Sequence, residues 1–112
     1  MKMVVAIIRD SRLDAVKMAL DELGYGSITV TDVRGRGEQR GRRQEFRGQE
    51  YEIDLLPRTR LEVAVHDDAV ARVVDLICDT ARTGEPGDGK LFIFPLEEVV
   101  RVRTRERGKD VL

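Results

Sequence analysis

Between Thr83 and Lys90 the chain reads Thr-Gly-Glu-Pro-Gly-Asp-Gly-Lys. Glycines let backbone amides come close to an anion, and a lysine placed directly after them adds a full positive charge. The chemistry on offer is anion binding, a phosphate cradle in outline. The order is not that of a Walker loop, because G-x-x-x-x-G-K-[ST] is absent, and a Gly-Asp-Gly turn by itself more often only joins two elements. Arg101 and Arg103 strengthen the anion reading. They alternate with Val100 and Val102, so on a strand both guanidinium groups leave one sheet face, a pair suited to phosphate oxygens. A charged, solvated strand edge is the plainer use of the same residues. Lys90, Arg101 and Arg103 taken together favour a polyphosphate.

A further constellation runs Gly35-Arg36-Gly37-Glu38-Gln39-Arg40-Gly41, followed by Arg42, Arg43, Arg47 and Tyr51. Its G-x-G-x-x-x-G spacing misses the dinucleotide fingerprint by one residue, which excludes a Rossmann reading. Without context it is a solvated, arginine-rich hairpin. His66 is the only histidine, so no histidine metal cluster and no Ser-His-Asp or Cys-His arrangement can be assembled. His66 is expected at a strand end. Cys78, on the apolar stripe of a helix, reads as a small buried hydrophobe rather than a nucleophile.

The elements that must position these residues follow from periodicity. Residues 3–8 are continuously apolar and rich in Val and Ile, as in a central strand covered on both faces. Ser11, with Asp14 after it, offers a cap to a helix whose Leu13, Val16, Leu20 and Leu23 share one face and which Gly24 ends. A second strand is expected over 27–34. From Gly35 to about Leu56 the periodicity vanishes, an unusual length of chain without a packed face. After Pro57, Leu61, Val63 and Val65 alternate with Arg60, Glu62 and Ala64, a strand with one wetter face. Asp67 or Asp68 can cap a second helix, with Val70, Val73, Val74, Ile77, Cys78 and Ala81 as its stripe and its end near Gly84. Residues 85–89 turn, Leu91–Phe94 form a strand, and Val99–Val102 are expected as a short final one. The order is the split βαβ pattern of ferredoxin-like α+β domains, with both helices on one face.

At 112 residues the chain fits a single domain, 1–112, small enough that burying its bare sheet face against copies of itself is expected. The 37% charged content is nearly balanced, 20 Lys and Arg against 21 Asp and Glu, which leaves a formal net charge of only -1, almost none to drive bulk nucleic-acid or membrane attraction. The single cysteine excludes an internal disulfide and points to a reducing, cytoplasmic setting. The opening apolar run is too short for a secretory segment, and no stretch approaches the ~20 apolar residues of a membrane helix.

With these residues in view the whole chain resembles the PII family of nitrogen-regulatory signalling proteins. The likeness rests on Ile7-Ile8, Val30-Thr31-Asp32-Val33, Gly35–Gly41, Arg47-Gly48-Gln49-Glu50-Tyr51, Thr83-Gly84 through Phe94, and Arg101-Val102-Arg103-Thr104. It implies a non-enzymatic homotrimer with a T-loop at about 36–55, a B-loop at about 82–90 and a C-terminal segment at about 101–112. ATP or ADP would lie between subunits. By the same resemblance Ile7, Thr29, Gly35, Gly37, Glu38, Gln39, Glu62 and Ala64 would border the nucleotide, and Gly87, Asp88, Gly89, Lys90, Arg101 and Arg103 would hold its phosphates. Gln39, Arg40, Gly41, Arg58 and Gly87 would take 2-oxoglutarate, with Gln39 ligating a Mg²⁺ shared by ATP and the keto acid.

Arg47 would enter the pore of an ammonium transporter, recruiting the protein reversibly to the membrane, and Tyr51 would be a modification site. Glutamine synthetase or other nitrogen-metabolism targets are further expected partners. Several positions depart from the pattern. Asp10-Ser11 stands for Pro-Phe, Ser27 for Gly, Arg58 for Lys, Glu38 for Arg, and Arg105 for Gly. A guanidinium at 58 still suits a carboxylate, with a different fork geometry. A carboxylate at 38 lying ~4 Å from a phosphate would cost about 1–4 kcal/mol, so Glu38 is expected to turn away.

Two other classes use the same residues. A small ferredoxin-like phosphotransferase or nucleotide hydrolase could employ Lys90, Arg101 and Arg103 but lacks a nucleophile or base beyond His66. Single-stranded RNA binding on the sheet would need stacking aromatics, and only Phe92 and Phe94 are expected on a strand.

Overall fold

The computed structural model describes residues 1–37 and 55–112 in full, together with the backbone of residues 43–46 and 49–52. Its elements are β1 (Lys2–Ile8), α1 (Leu13–Leu23), β2 (Thr29–Gly35), β3 (Arg43–Phe46), β4 (Gln49–Glu52), β5 (Leu56–Val65), α2 (Val70–Ala81) and β6 (Lys90–Pro95). A four-stranded antiparallel sheet has the order β2-β5-β1-β6, and β3 pairs with β4 separately. This is the ferredoxin-like α+β fold. β1, the most apolar segment, takes a central place, in register with β5 (Val4 opposite Val63) and with β6 (Val4 opposite Ile93).

The helices cover one sheet face. Val4, Ala6 and Ile8 from β1, Leu61, Val63 and Val65 from β5, Val16 and Leu20 from α1, and Val73, Ile77 and Ala81 from α2 form the buried core. Leu13 and Leu23 pack partly against it, so the expected α1 stripe is found. Gly24 ends α1 in the left-handed conformation at φ 94, its amide donating to Asp21 O. Leu20 is fully buried. Leu20→Ala is expected to cost about 2–5 kcal/mol, because the lost contacts and the residual cavity both count; the shift of the urea-unfolding midpoint measures it.

Several boundaries differ from those expected. Neither helix has a side-chain cap. α1 is entered through a 3-10 turn at Asp10–Arg12, where the Asp10 carboxylate accepts the Thr59 hydroxyl at 2.7 Å, and Ser11 caps nothing. That bond satisfies Thr59, the buried polar residue of the described chain. Asp67 and Asp68 likewise lie in a 3-10 turn, and Asp67 accepts the Met1 amino group (2.8 Å) and pairs with Lys2 (3.3 Å) instead of capping α2. α2 stops at Ala81, ahead of Gly84. Cys78 is exposed, which corrects the buried reading: the stripe of α2 is narrower than its composition suggests. His66 does close β5, its carbonyl accepting the Ala69 amide.

β2 begins at Thr29 and runs on to Gly35. The segment read as lacking periodicity contains the β3–β4 pair. β5 starts at Leu56 and passes through Pro57, whose missing amide is tolerated because β1 has already run out there, its last pair being Ile8 opposite Thr59. Residues 99–102 form no strand. A single bridge, Val100 opposite Arg107, closes a turn there.

Candidate functional site

After α2 the chain turns through residues 82–89, and the turn is tied by one side chain. The Asp88 carboxylate accepts the Thr83 hydroxyl (2.6 Å), the Thr83 and Gly84 amides (2.9 Å each) and the Arg9 Nε (3.1 Å). The Thr83 hydroxyl is the largest influence holding the Asp88 carboxyl far below its ordinary value of 3.8. The two amides and Arg9 act in the same direction, against partial desolvation. Arg9 Nη2 also donates to Pro86 O at 2.8 Å. These bonds orient Gly87 and Gly89, both at positive φ, 99° and 100°.

Around Gly87 two cations meet. A Cβ built on Gly87 would lie 3.1 Å from Arg9 Nη2 and 3.3 Å from Arg58 Nη2, so both guanidinium groups flank the glycine. Arg58 is steadied by donating from Nη1 to Pro57 O at 2.8 Å. Two planar forks beside an exposed backbone have the donor geometry that suits a carboxylate or phosphate. Arg58 and Gly87, which the resemblance assigns to the keto acid, lie side by side here. Arg9 was not singled out in the sequence. Its partners lie 77 and 79 residues away along the chain, so no local pattern could reveal it.

The sheet face opposite the helices carries five further candidates. Because Val4, Ala6 and Ile8 point into the core, Met3, Val5 and Ile7 occupy the other face. Register then fixes three rows. Lys90, Ile7, Arg60 and Thr31 lie side by side; Phe92, Val5, Glu62 and Thr29 form the next; Phe94, Met3 and Ala64 the third. Glu62 accepts Arg60 Nε at 2.7 Å. Ile7, Thr29, Glu62, Ala64 and Lys90 are therefore brought onto one face, with the 82–89 turn at the Lys90 end. Phe92 and Phe94 stand on it 45% and 50% exposed.

Arg101 and Arg103 are placed differently from expectation. The alternating Val-Arg-Val-Arg has no neighbouring strand, so it folds back on itself: Arg101 N donates to Glu106 O (2.9 Å), Arg105 N to Arg101 O (2.8 Å) and Gly108 N to Val99 O (3.0 Å). Their common sheet face does not exist. Arg101 Nη1 meets Glu106 Oε1 at 3.0 Å, and Val102 is 96% exposed. The Thr104 hydroxyl, then the Arg101 charge, holds the Glu106 carboxyl below its ordinary value. Within one chain no described hydrogen bond or ion pair joins Arg101 or Arg103 to the 82–89 turn.

Of the other candidates, Gly35 ends β2 opposite Leu56, and Gly37 has open space around it. Glu38, Gln39, Arg40, Gly41 and Arg47 lie outside the described residues, as does the Tyr51 side chain, whose backbone belongs to β4. Among the described residues no group of His, Cys, Asp and Glu is arranged to hold a metal ion, and no helix is long and apolar enough to cross a membrane.

A ferredoxin-like sheet with one face uncovered by helices, and a glycine turn flanked by Arg9 and Arg58 at its edge, define a small α+β module. Comparison with known proteins makes the class specific. The family model for nitrogen regulatory protein P-II matches residues 1–106. The chain is 52% identical over 112 residues to "Nitrogen regulatory protein P-II 2" of Methanothermobacter thermautotrophicus, covering 100% of this chain and 97% of that one. It is 47% identical over the full length of both chains to "Nitrogen regulatory protein P-II" of Azospirillum brasilense, and 46% identical to "Nitrogen regulatory protein P-II 1" of Methanothermobacter thermautotrophicus, covering 100% of this chain and 97% of that one. The chain belongs to the P-II family of nitrogen regulatory proteins.

Proposed function

We propose that this protein is a sensor of nitrogen, carbon and energy status that works as a homotrimer in the cytoplasm. It takes ATP or ADP at the seams between subunits and, with Mg-ATP, 2-oxoglutarate. The observation that supports this furthest is the pair of guanidinium groups flanking Gly87 beside Lys90, where a carboxylate and a polyphosphate find donors together. Backbone amides of Gly87 and Gly89 with Lys90 hold phosphate, Arg58 and Gly87 take the keto acid, and Ile7, Thr29, Glu62 and Ala64 line the nucleotide. Arg101 and Arg103 reach the phosphates from a neighbouring subunit. The half-exposed Phe92 and Phe94 are residues that sheet-to-sheet trimer contact would bury.

The readout is a population shift of residues 36–55: partners such as an ammonium transporter or glutamine synthetase bind only one arrangement of the loop. Mg²⁺, when bound, neutralises charge between triphosphate and keto acid, and Gln39 is the residue proposed to hold it. Calorimetry of ATP, ADP and Mg-ATP with 2-oxoglutarate, with light scattering for the mass of the assembly, tests the reading. A monomer that binds none of these at millimolar concentration would sink it. Gln39→Glu is expected to abolish 2-oxoglutarate binding and leave ADP binding intact, and unchanged keto-acid affinity would remove Gln39 from this role.

A further inference from the structure

Backbone conformation singles out one arginine of the C-terminal turn. Arg105 has φ 62, the one positive φ at a non-glycine residue among those described. L side chains are disfavoured there, whereas glycine is at home. A residue kept in such a region at an exposed turn calls for a reason in what its side chain does. Its contacts within the chain supply none: the side chain is exposed and has no hydrogen bond or ion pair among the described residues.

The neighbouring arginines differ in this respect. Arg101 is engaged by Glu106 and Arg107 by Glu98, each at 3.0 Å. Arg103 is exposed and, like Arg105, without such a partner. The turn closed by Arg105 N on Arg101 O thus displays two uncommitted guanidinium groups, one on each side of Thr104. Salt bridges occupy the outer arginines, and among the described residues none engages the inner two, which are left to meet an external anion.

We infer that Arg105 is an additional polyphosphate-contacting residue, joining Arg103 to favour a triphosphate over a diphosphate. The inference rests on the nucleotide-binding reading above and adds a specificity determinant to it. Each further phosphate group carries charge that a second free guanidinium can meet, so the longer chain gains more from Arg105 than the shorter one.

Calorimetry on the full-length protein tests this with two variants. Arg105→Asn retains a residue tolerant of the left-handed conformation and removes the charge; Arg105→Gly also relieves the backbone. Both are expected to weaken ATP binding about three- to tenfold and ADP binding less, while Arg105→Gly melts a few degrees above the parent. Affinities for ATP and ADP within about twofold of the parent in both variants would overturn the inference, whatever the melting temperature does. A parent that binds inorganic tripolyphosphate in an Arg105-dependent way, but neither ATP nor ADP, would uphold the contact and reject the nucleotide reading. A parent binding none of the three would reject both.

Discussion

Gly89→Ala is expected to destabilise the protein by at least about 3 kcal/mol, the largest effect of any single methyl added to a described glycine. A Cβ at this position would lie 1.7 Å from Ile7 O and 2.8 Å from Ile7 C, at a φ of +100° that already disfavours any side chain. The obstacle is the backbone of central strand β1, which cannot rotate away as a side chain could. Relief requires β6 to slide from β1, and the Lys90–Ile7 pairing that begins the strand is then lost. Gly84→Ala is the control. Gly84 shares a positive φ of 91° but has nothing within 4 Å of its Cβ position, so only the conformational penalty of about 1 kcal/mol applies. Urea unfolding of the two variants side by side separates the terms, and a Gly89→Ala protein as stable as Gly84→Ala would show that the turn can yield where the structure says it cannot.

On the proposed nucleotide-binding reading, Asp88→Asn should weaken ATP binding by about tenfold or more, although Asp88 itself need not touch the ligand. Its carboxylate collects the Thr83 hydroxyl, two backbone amides and Arg9, and an amide side chain can neither accept so many bonds nor pair with a guanidinium. Gly87 would lose its orientation, and Arg9 its position. The pH dependence gives the argument a sign. Because the folded carboxyl titrates below the ordinary value of 3.8, its contribution is fully present above that value and disappears as pH falls through the lower folded one. The stability gap between parent and Asp88→Asn should therefore be constant at neutral pH and close in acid. A gap that widens below pH 4, or ATP affinity equal to the parent, would show that the turn stands without this carboxylate.

What the sequence disclosed depended on how local each signal was. Residues 3–8 were readable as a central strand because a continuously apolar run rich in Val and Ile fits an inner place in a sheet, and the neighbours on both sides proved to be strands. Gly24, Leu20 and Ile77 were equally plain, since helix ends and apolar stripes are set within a few residues. Ser11 and Asp67 misled because a capping residue is defined by geometry as well as type, and a 3-10 turn intervenes in both places. Val100–Arg103 misled for a different reason: alternation shows which side chains share a face only if another strand lies alongside, and among the described residues none does. The candidate site was half legible. Gly87, Gly89 and Lys90 stand out locally as a glycine turn with a lysine after it, but Arg9 and the Asp88 clasp depend on a meeting of distant segments that only the folded sheet creates.

One detail of register bears on how such a protein can evolve. Gly35 and Leu56 face each other as the last pair between β2 and β5. The chain thus departs from the sheet and rejoins it at adjoining points, and the excursion imposes no offset on the strands beneath. Lengthening or rewriting it costs only the slowly growing entropy of a longer closed segment. Sequence changes can accumulate there while the paired strands beneath stay unchanged.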